Sequence, residues 1–206
     1  MDAVHTLIGR VRAAQTDWKE LGLQDRKSFI RKLHQAFLAR ANDIADVLAN
    51  ECGRPAGEAW TAEIVANHEL FAFWLSAIDD LLTSTPISLN PINYPGKRGV
   101  VRLDPLGVLG LITPWNLPVA IPLRAIVPGL LAGNTIAWKP SEVTPRTNAL
   151  LADLFAEVLP ADVVVLIQGD GAQGEAVVRG GVDRVFFTGS VRTGRRVAQM
   201  ANELGI

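Results

Sequence analysis

Two short polar segments follow apolar runs of the kind that form buried strands. Thr113–Pro118 comes directly after Val108–Ile112, and two prolines and a tryptophan make it stiff. A stiff loop would hold the side-chain amide of Asn116 in place, and a donor positioned in advance can stabilise a developing oxyanion. Lys139–Glu142 follows the apolar run Thr135–Trp138. Its lysine and glutamate suit the hydroxyls of a ribose or an ordinary solvated loop, and the residues alone do not choose between the two.

Two further junctions between a strand and a helix are rich in small residues. Gly169–Gly174 has the G-x-G-x-x-G pattern, in which glycines let a pyrophosphate approach a helix N-terminus. It follows the third strand of the series rather than the first, and the next strand closes on Thr188 instead of an acidic residue. A plain glycine-rich turn therefore stays open beside a phosphate cradle. Phe187–Ser190, with Gly194 nearby, offers a hydroxyl and free N–H groups, but on its own favours an ordinary serine N-cap.

The four segments share one position, the carboxyl end of a predicted strand. In a doubly wound sheet, ligands bind in the crevice beyond those ends. The convergence of the segments, more than any one of them, predicts a nucleotide site.

Other residues with reactive or charged side chains favour structural roles. Cys52, the only cysteine, lies at a predicted helix C-terminus beside Glu51, where helix carbonyls and a carboxylate would raise the pKa of its thiol. No metal site is predicted, because the three histidines fall on separate helices without ligand spacing: His5, His34 and His68. A solvated helix face is predicted for Arg192, Arg195 and Arg196.

Helices must carry the first part of the chain, residues 1–85. Apolar residues at 3.6-residue spacing predict one helix ending near Trp18 and a second beginning at a cap, Asp25. Asn42 is predicted to cap its continuation, which Gly53–Pro55 ends. A third helix is predicted from about Glu58 to Leu82.

The pattern of residues changes after residue 85 and again after residue 104. Residues 86–104 carry three prolines between short extended pieces and predict a projecting hairpin. Residues 105–206 alternate between apolar runs and helical patterns, with Thr144 and Pro145 as the N-cap and first residue of one helix. This alternation predicts an α/β fold: a Rossmann-like doubly wound parallel sheet with an N-terminal helical segment and a β-hairpin. The predicted strands are Val108–Ile112, Thr135–Trp138, Val163–Ile167 and Arg184–Thr188.

Composition excludes several classes of protein. The 206 residues are 49% hydrophobic and carry a formal net charge of −1. The high hydrophobic content with low net charge excludes a disordered chain. The near-neutral balance lacks the excess of basic residues that is typical of nucleic-acid-binding proteins. We find no secretory signal and no uninterrupted apolar run long enough for a membrane span. We expect a cytoplasmic protein with neither a nucleic-acid nor a membrane partner.

The sequence resembles the aldehyde dehydrogenase superfamily over essentially its whole length. The family is built from a cofactor domain, a catalytic domain and an oligomerisation hairpin. The chain is similar to the first of these, and residues 86–104 would supply the first part of the hairpin element. Weaker similarities lie in Glu51–Pro55 and Asp104–Val108. Three ordered motifs carry the resemblance: Pro114–Pro118, Lys139–Glu142 and Phe187–Ser190.

The resemblance implies a role for each matching residue. Asn116 would stabilise the oxyanion of a thiohemiacetal, and the residues just before it would lie along the nicotinamide. Lys139 and Glu142 would hold the adenosine ribose, the Gly189–Ser190 junction would lie under the pyrophosphate, and the start of the helix after Asp170 would flank the adenine. The implied cofactor-binding residues are Ile112, Thr113, Pro114, Trp115, Asn116, Lys139, Pro140, Ser141, Glu142, Gly171, Ala172, Gly189 and Ser190.

The sequence departs from the family at the two groups that do covalent chemistry. The family uses a cysteine nucleophile and a glutamate base, but Cys52 lies in the wrong segment for the nucleophile. Glu203–Gly205 resembles the start of the base motif, although it follows Ser190 too closely. We therefore expect a chain truncated before the catalytic domain and inactive alone in aldehyde oxidation.

The resemblance also implies ligands. NAD is the expected cofactor because the carboxylate of Glu142 would repel a 2′-phosphate, while Lys139 leaves NADP possible. An aldehyde would bind only with the catalytic part, and a homo-oligomer would form through residues 86–104. Two alternatives stay open. One is a non-catalytic nucleotide-binding or assembly module, as in a pseudoenzyme or half of a split enzyme; the other is an ordinary Rossmann dehydrogenase that uses Gly169–Gly174.

Overall fold

The computed structural model describes residues 2–206, and Met1, the first residue of the predicted helical part, lies outside the described residues. The first part is helical, as the apolar spacing predicts. Its stripes are buried, with Ile8, Trp18, Leu33 and Phe37 almost inaccessible to water. The helices are α1 (Asp2–Glu20), α2 (Leu23–Ala39), α3 (Ala41–Cys52), α4 (Ala56–Ala59) and α5 (Ala66–Leu82).

Two predicted helix caps are wrong. The N-cap of α2 is Gly22, and Asp25 lies inside the first turn, because the chain re-enters a helix directly after the short link from α1. The N-cap of α3 is Arg40, whose N–H still bonds to the carbonyl of Ala36 while its own carbonyl accepts from Ile44. The two helices are almost continuous there, so Asn42 is interior. The predicted stop is confirmed, since Gly53 adopts the left-handed conformation with φ 61°.

The predicted third helix is present but contains a π-helical turn, Trp60–Val65, between α4 and α5. Such turns insert an extra residue into the helical register and are frequent at functional sites. Apolar periodicity alone could not reveal it, because the flanking helices keep their own buried stripes.

The predicted hairpin is confirmed as a two-stranded antiparallel ribbon. Strand β1 (Thr85–Ile87) pairs with β2 (Gly99–Val101), with Thr85 opposite Val101. Almost every residue of the ribbon and its connection is exposed, so the hairpin stands away from the core.

The second half of the chain forms a four-stranded sheet in the order β5-β4-β3-β6, and every neighbouring pair is parallel. This confirms the predicted doubly wound arrangement. All residues of β3 and β4 are buried, as continuous apolar runs require. The elements are β3 (Val108–Ile112), α6 (Ala120–Leu131), β4 (Thr135–Lys139), α7 (Pro145–Val158), β5 (Val164–Leu166), α8 (Gly171–Arg179), β6 (Arg184–Phe187) and α9 (Val191–Leu204).

The two faces of the sheet are covered by different helices. Leu109, Leu111 and Trp138 point into a core shared with α2, α3, α5, α6 and α7. Val108 and Ala137 point to the other face, against α1 and α8. The N-terminal helices and the sheet therefore share one interior.

The strand order changes direction between β3 and β6. Strands β4 and β5 are added on one side of β3, and the chain then crosses back to place β6 on the other. The connections after β3 and β6 diverge to opposite faces at this switch point, which leaves a crevice at the carboxyl ends of the strands.

Candidate nucleotide-binding cleft

A cleft of about 710 Å³ lies at the carboxyl ends of the strands. It brings together the loops after β3, β4, β5 and β6, which are the four segments singled out from the sequence. Eleven of the thirteen predicted cofactor-binding residues line it, and Asn116 and Pro140 do not. The lining residues are Ile112, Thr113, Pro114, Trp115, Lys139, Ser141, Glu142, Asp170, Gly171, Ala172, Gly174, Glu175, Phe187, Thr188, Gly189, Ser190, Thr193, Arg196, Val197 and Met200.

The loop after β3 is fixed at its start. The backbone N–H of Thr113 donates to the carbonyl of Lys139, and its hydroxyl accepts from Trp138 Nε1 at 3.0 Å. Thr113 is buried, whereas Trp115 exposes about half of its surface to the cleft. Asn116 lies just beyond the rim and is exposed, and its carbonyl accepts a hydrogen bond from the guanidinium of Arg54.

The loop after β4 places a lysine and a carboxylate side by side. Lys139 is nearly buried, and its Nζ lies 3.2 Å from Glu142 Oε2. A hydrogen bond from its own backbone N–H, together with Lys139, holds the pKa of Glu142 below its ordinary value despite some desolvation. Glu142 is therefore ionised at neutral pH. Pro140 is buried behind this loop.

The glycine-rich segment after β5 is a turn closed by its own side chains. Asp170 Oδ1 accepts from the N–H of Ala172 at 2.8 Å, and Gln173 Oε1 accepts from the N–H of Asp170 at 3.1 Å. This capping box uses the first donors of α8 and places a carboxylate where a phosphate would bind. The geometry favours the plain turn over the phosphate cradle, although Gly171 and Ala172 still line the cleft.

The junction after β6 is more open to an anion. Ser190 is the N-cap of α9, and its hydroxyl accepts from the N–H of Thr193 at 3.2 Å, so the expected serine cap is confirmed. No acidic residue lies in the first turn of this helix. A Cβ on Gly189 would lie 2.5 Å from the ring of Phe187, so the chain can pass over that ring only with glycine here. The N-terminus of α9 thus faces the cleft with its dipole uncompensated by a carboxylate.

The predicted solvated helix face is confirmed, since Arg192, Arg195 and Arg196 are all exposed. Arg196 also lines the cleft, one turn beyond Thr193. The spacing of arginines along one helix could not show this, because it depends on which side of α9 packs against β6.

Cys52 occupies the predicted helix terminus. Burial raises the pKa of its thiol above the ordinary value, Arg54 opposes that shift, and the charges of Glu51 and Glu63 add to it. A thiol of this kind is mostly protonated at neutral pH and is a weak nucleophile.

His34 and His68 lie on separate helices, as predicted, and their rings are in contact. His34 Nε2 lies 2.9 Å from His68 Nδ1, and the ring of His34 stacks on Phe71. Burial lowers the pKa of His34, and His68 adds to that shift.

Within residues 2–206, no three His, Cys, Asp or Glu side chains are grouped to hold a metal. No helix in this part of the chain is long and apolar enough to cross a bilayer.

Sequence reasoning missed three residues that hold the cleft loops from outside. Glu51, Arg54 and Glu63 belong to the N-terminal helical part, yet each bonds to the backbone near the loop after β3 or β4. Glu51 and Arg54 lie in Glu51–Pro55, a weaker similarity to the family that gave them no role in the site. The only sequence signal of Glu63 is a charged residue within a helical, largely apolar stretch, which many solvated helices share.

The structure is a doubly wound α/β fold with a cleft at the switch point of its sheet, where ligands bind in folds of this class. Residues 1–205 match the model of the aldehyde dehydrogenase family, and the chain belongs to that family.

Relatives and solved structures agree with this assignment. A 4,4'-diapolycopene aldehyde oxidase of a Methylomonas species is 31% identical over 195 residues, which are 94% of this chain and 37% of that protein. An aldehyde dehydrogenase from Bartonella henselae superposes with a TM-score of 0.86 at 30% identity, over 96% of this chain and 41% of the other. An NAD-dependent benzaldehyde dehydrogenase from Corynebacterium glutamicum gives a TM-score of 0.87 at 27% identity, over 97% and 43%. The chain thus spans about two fifths of the length of these proteins.

Proposed function

We propose that this chain is the NAD-binding part of an NAD(P)-dependent aldehyde dehydrogenase, which oxidises an aldehyde to a carboxylic acid. The observation that carries the proposal is the convergence of the loops after β3, β4 and β6 on one cleft at the switch point of the sheet. Family membership supports the same reading. The nicotinamide, when bound, would accept the hydride from the substrate carbon.

The residues of the cleft fit a dinucleotide along its length. The ionised carboxylate of Glu142, paired with Lys139, would accept hydrogen bonds from the ribose hydroxyls of the adenosine. The N-terminus of α9 at Gly189 and Ser190 would take the pyrophosphate, since it lacks the carboxylate that closes α8.

The other end of the cleft would hold the reacting part of the cofactor. Ile112 to Trp115 would form the wall along the nicotinamide, which leaves Asn116 at the rim, beyond the lining of the cleft. At that position its side-chain amide would donate to the oxyanion that forms when a thiolate attacks the aldehyde.

Calorimetric titration of the chain with NAD tests the proposal. We expect saturable binding of one NAD, weakened about tenfold when Lys139 and its pairing with Glu142 are removed by Lys139→Met, as for the loss of a hydrogen bond to a charged group. Lys19→Met, at the exposed end of α1, is the matched control and should leave the affinity unchanged. A wild-type chain that binds neither NAD nor NADP would refute the proposal.

We propose further that the chain alone does not oxidise aldehydes. Its only thiol, Cys52, lies at the end of α3, partly buried and with a raised pKa. Aldehyde-dependent formation of NADH by the purified chain tests this. Turnover that disappears in Asn116→Ala would show that a complete active site forms.

A second candidate is a non-catalytic assembly module. The observation that favours it is the hairpin, whose apolar side chains are open to solvent, with Ile92 88% and Val100 65% exposed. We propose residues 86–104 as a separate oligomerisation element beside the helical part and the sheet. Self-association without any cofactor binding would favour this second function.

A further inference from the structure

The segment that carries Asn116 is tethered by two charged side chains from the N-terminal helical part. Arg54 follows the end of α3, and its guanidinium donates to the carbonyl of Asn116. Glu63 lies in the π-helical turn, and its Oε2 accepts from the N–H of Ala120, the first residue of α6, at 2.6 Å. The two contacts are four residues apart along the segment, one at each side of Pro118.

Glu63 is an unusual partner for a backbone amide because it is completely buried. Its other oxygen, Oε1, has no hydrogen-bond partner among the described residues. Burial raises the pKa of Glu63 to about 7, although the N–H groups of Ala120 and Val119 and the charges of Arg54 and Arg124 lower it. A carboxylate kept at this cost calls for a role, since an apolar side chain would fill the same space without the desolvation penalty.

The N-terminus of α6 needs a capping group, and Glu63 provides one. The N-cap of α6 is Val119, which has no side-chain oxygen, so the carboxylate of Glu63 takes the place of an N-cap from another helix. It also sits at the positive end of the α6 dipole.

The guanidinium of Arg54 is itself held by an ion pair with Glu58. Its Nη1 lies 3.3 Å from Glu58 Oε1, and only 12% of the side chain is exposed. The position of the Asn116 carbonyl is therefore set by a fixed donor.

These tethers act on the backbone and leave the Asn116 amide unused. Within residues 2–206, no hydrogen bond reaches the side chain of Asn116, while the start of its loop is fixed by Thr113 and Trp138. The segment is thus held at its start, middle and end by groups outside it. Fixing the backbone from which the Asn116 side chain projects reduces the cost of ordering this donor around a ligand.

We infer that Arg54 and Glu63 are positioning residues, which fix the Thr113–Ala120 backbone so that the nicotinamide wall and the Asn116 amide are preorganised. The inference rests on the proposed function for its purpose, but its structural part can be tested without any cofactor. Neither residue lines the cleft, so both act through the segment they hold.

The first test is amide hydrogen exchange of the full chain without ligand. Arg54→Met and Glu63→Ala should raise exchange in Thr113–Ala120 at least about tenfold, the equivalent of one lost hydrogen bond to a charged group. Glu63→Gln keeps an oxygen within reach of Ala120 and should restore most of the protection.

Matched controls separate this effect from general destabilisation. Asp183 also accepts a backbone N–H, that of Val108 at 2.7 Å, but at the amino end of β3, so Asp183→Asn should leave exchange in the segment unchanged. Arg10, which pairs with Asp162 at 2.6 Å on the surface, is the control for Arg54. Unchanged exchange in both Arg54→Met and Glu63→Ala would overturn the inference.

The second test compares two ligands by calorimetry. ADP would contact only the adenosine and phosphate side of the cleft, whereas NAD also reaches the segment held by Arg54. Arg54→Met should weaken NAD severalfold and leave ADP unchanged, while equal losses for both ligands would show a merely structural effect and contradict the inference. If the wild type bound neither ligand, the proposed function would fail, and hydrogen exchange would still decide the positioning role.

Discussion

Glu142 is the residue at which we expect the choice between the two nicotinamide cofactors to be made. Its carboxylate is ionised and oriented by Lys139, so it suits ribose hydroxyls and opposes a 2′-phosphate. We predict tighter binding of NAD than of NADP, and a preference reduced about tenfold in Glu142→Gln, as expected for one charge contact. Titration calorimetry with both cofactors measures this.

The control for that prediction is Glu157→Gln, an exposed carboxylate near the far end of α7. It should leave the ratio of the two affinities unchanged. Tighter binding of NADP by the wild type would contradict the role given to Glu142.

The buried carboxyl group of Glu63 should make the stability of the chain depend on pH. Its pKa is about 7 in the folded chain and close to its ordinary 4.5 when unfolded, so between these values the folded state holds the proton more tightly. The free energy of unfolding should therefore fall as the pH rises from about 4.5 to 7, by on the order of 3 kcal/mol for this group.

Urea unfolding across that pH range measures the effect. Glu63→Gln should remove most of this fall, whereas Glu58→Gln, on the exposed face of α4, should not. The prediction would be contradicted if the unfolding free energy of the wild type, relative to that of Glu63→Gln, rose over the same pH range. The ionised carboxylate thus costs stability overall while it orders the N-terminus of α6.

Among the elements, helix α7 depends on a residue from another helix. Glu51, near the end of α3, accepts from the N–H groups of Arg146 and Thr147 at 2.7 and 2.8 Å. Thr144 is at the predicted N-cap position, but its side chain does not cap. We predict that Glu51→Ala lowers the free energy of unfolding by about 1–2 kcal/mol, the usual cost of losing an N-cap.

Thermal and urea unfolding of Glu51→Ala test that prediction. Asp153→Ala, on the exposed face of the same helix, is the matched control. Equal stability of the wild type and Glu51→Ala would show that Glu51 contributes no net capping.

The strands that position the cleft loops could be predicted from the sequence, whereas several helix caps could not. Strands β3 and β4 could be predicted because uninterrupted apolar runs between turn residues have few other solutions in a chain of this length. The loops of the cleft could be predicted because they follow those strands. The caps of α6 and α7 could not, since Glu63 and Glu51 reach them from 57 and 95 positions away. The prediction of Asp25 and Asn42 as N-caps is wrong for a related reason. The short links between the helices, and not the local capping preference, decide where α2 and α3 begin.

At the scale of the whole molecule, the hairpin is the feature that points to a partner. Several of its apolar side chains are exposed, and a second copy of the chain could cover them. We predict concentration-dependent self-association that Ile92→Asp and Val100→Asp weaken, because a charge in such an interface is costly to desolvate. Sedimentation velocity over a range of concentrations measures it.

Leu38→Asp, on the exposed side of α2, is the control for a general effect of added charge. It should associate as the wild type does. Unaltered association of both hairpin variants would remove residues 86–104 from the interface.

The long reach of Glu51 and Glu63 also bears on the order of folding. The helices that supply these carboxylates precede the sheet along the chain, so their contacts with Arg146 and Ala120 close loops of 95 and 57 residues. Contacts between distant positions form late, since the entropy of loop closure is lost before they can compensate for it. The caps on α6 and α7 should therefore form only when the helical layer docks on the sheet. An intermediate with its strands already paired would still have loose cleft loops, and affinity for a nucleotide would arise at the last stage of folding.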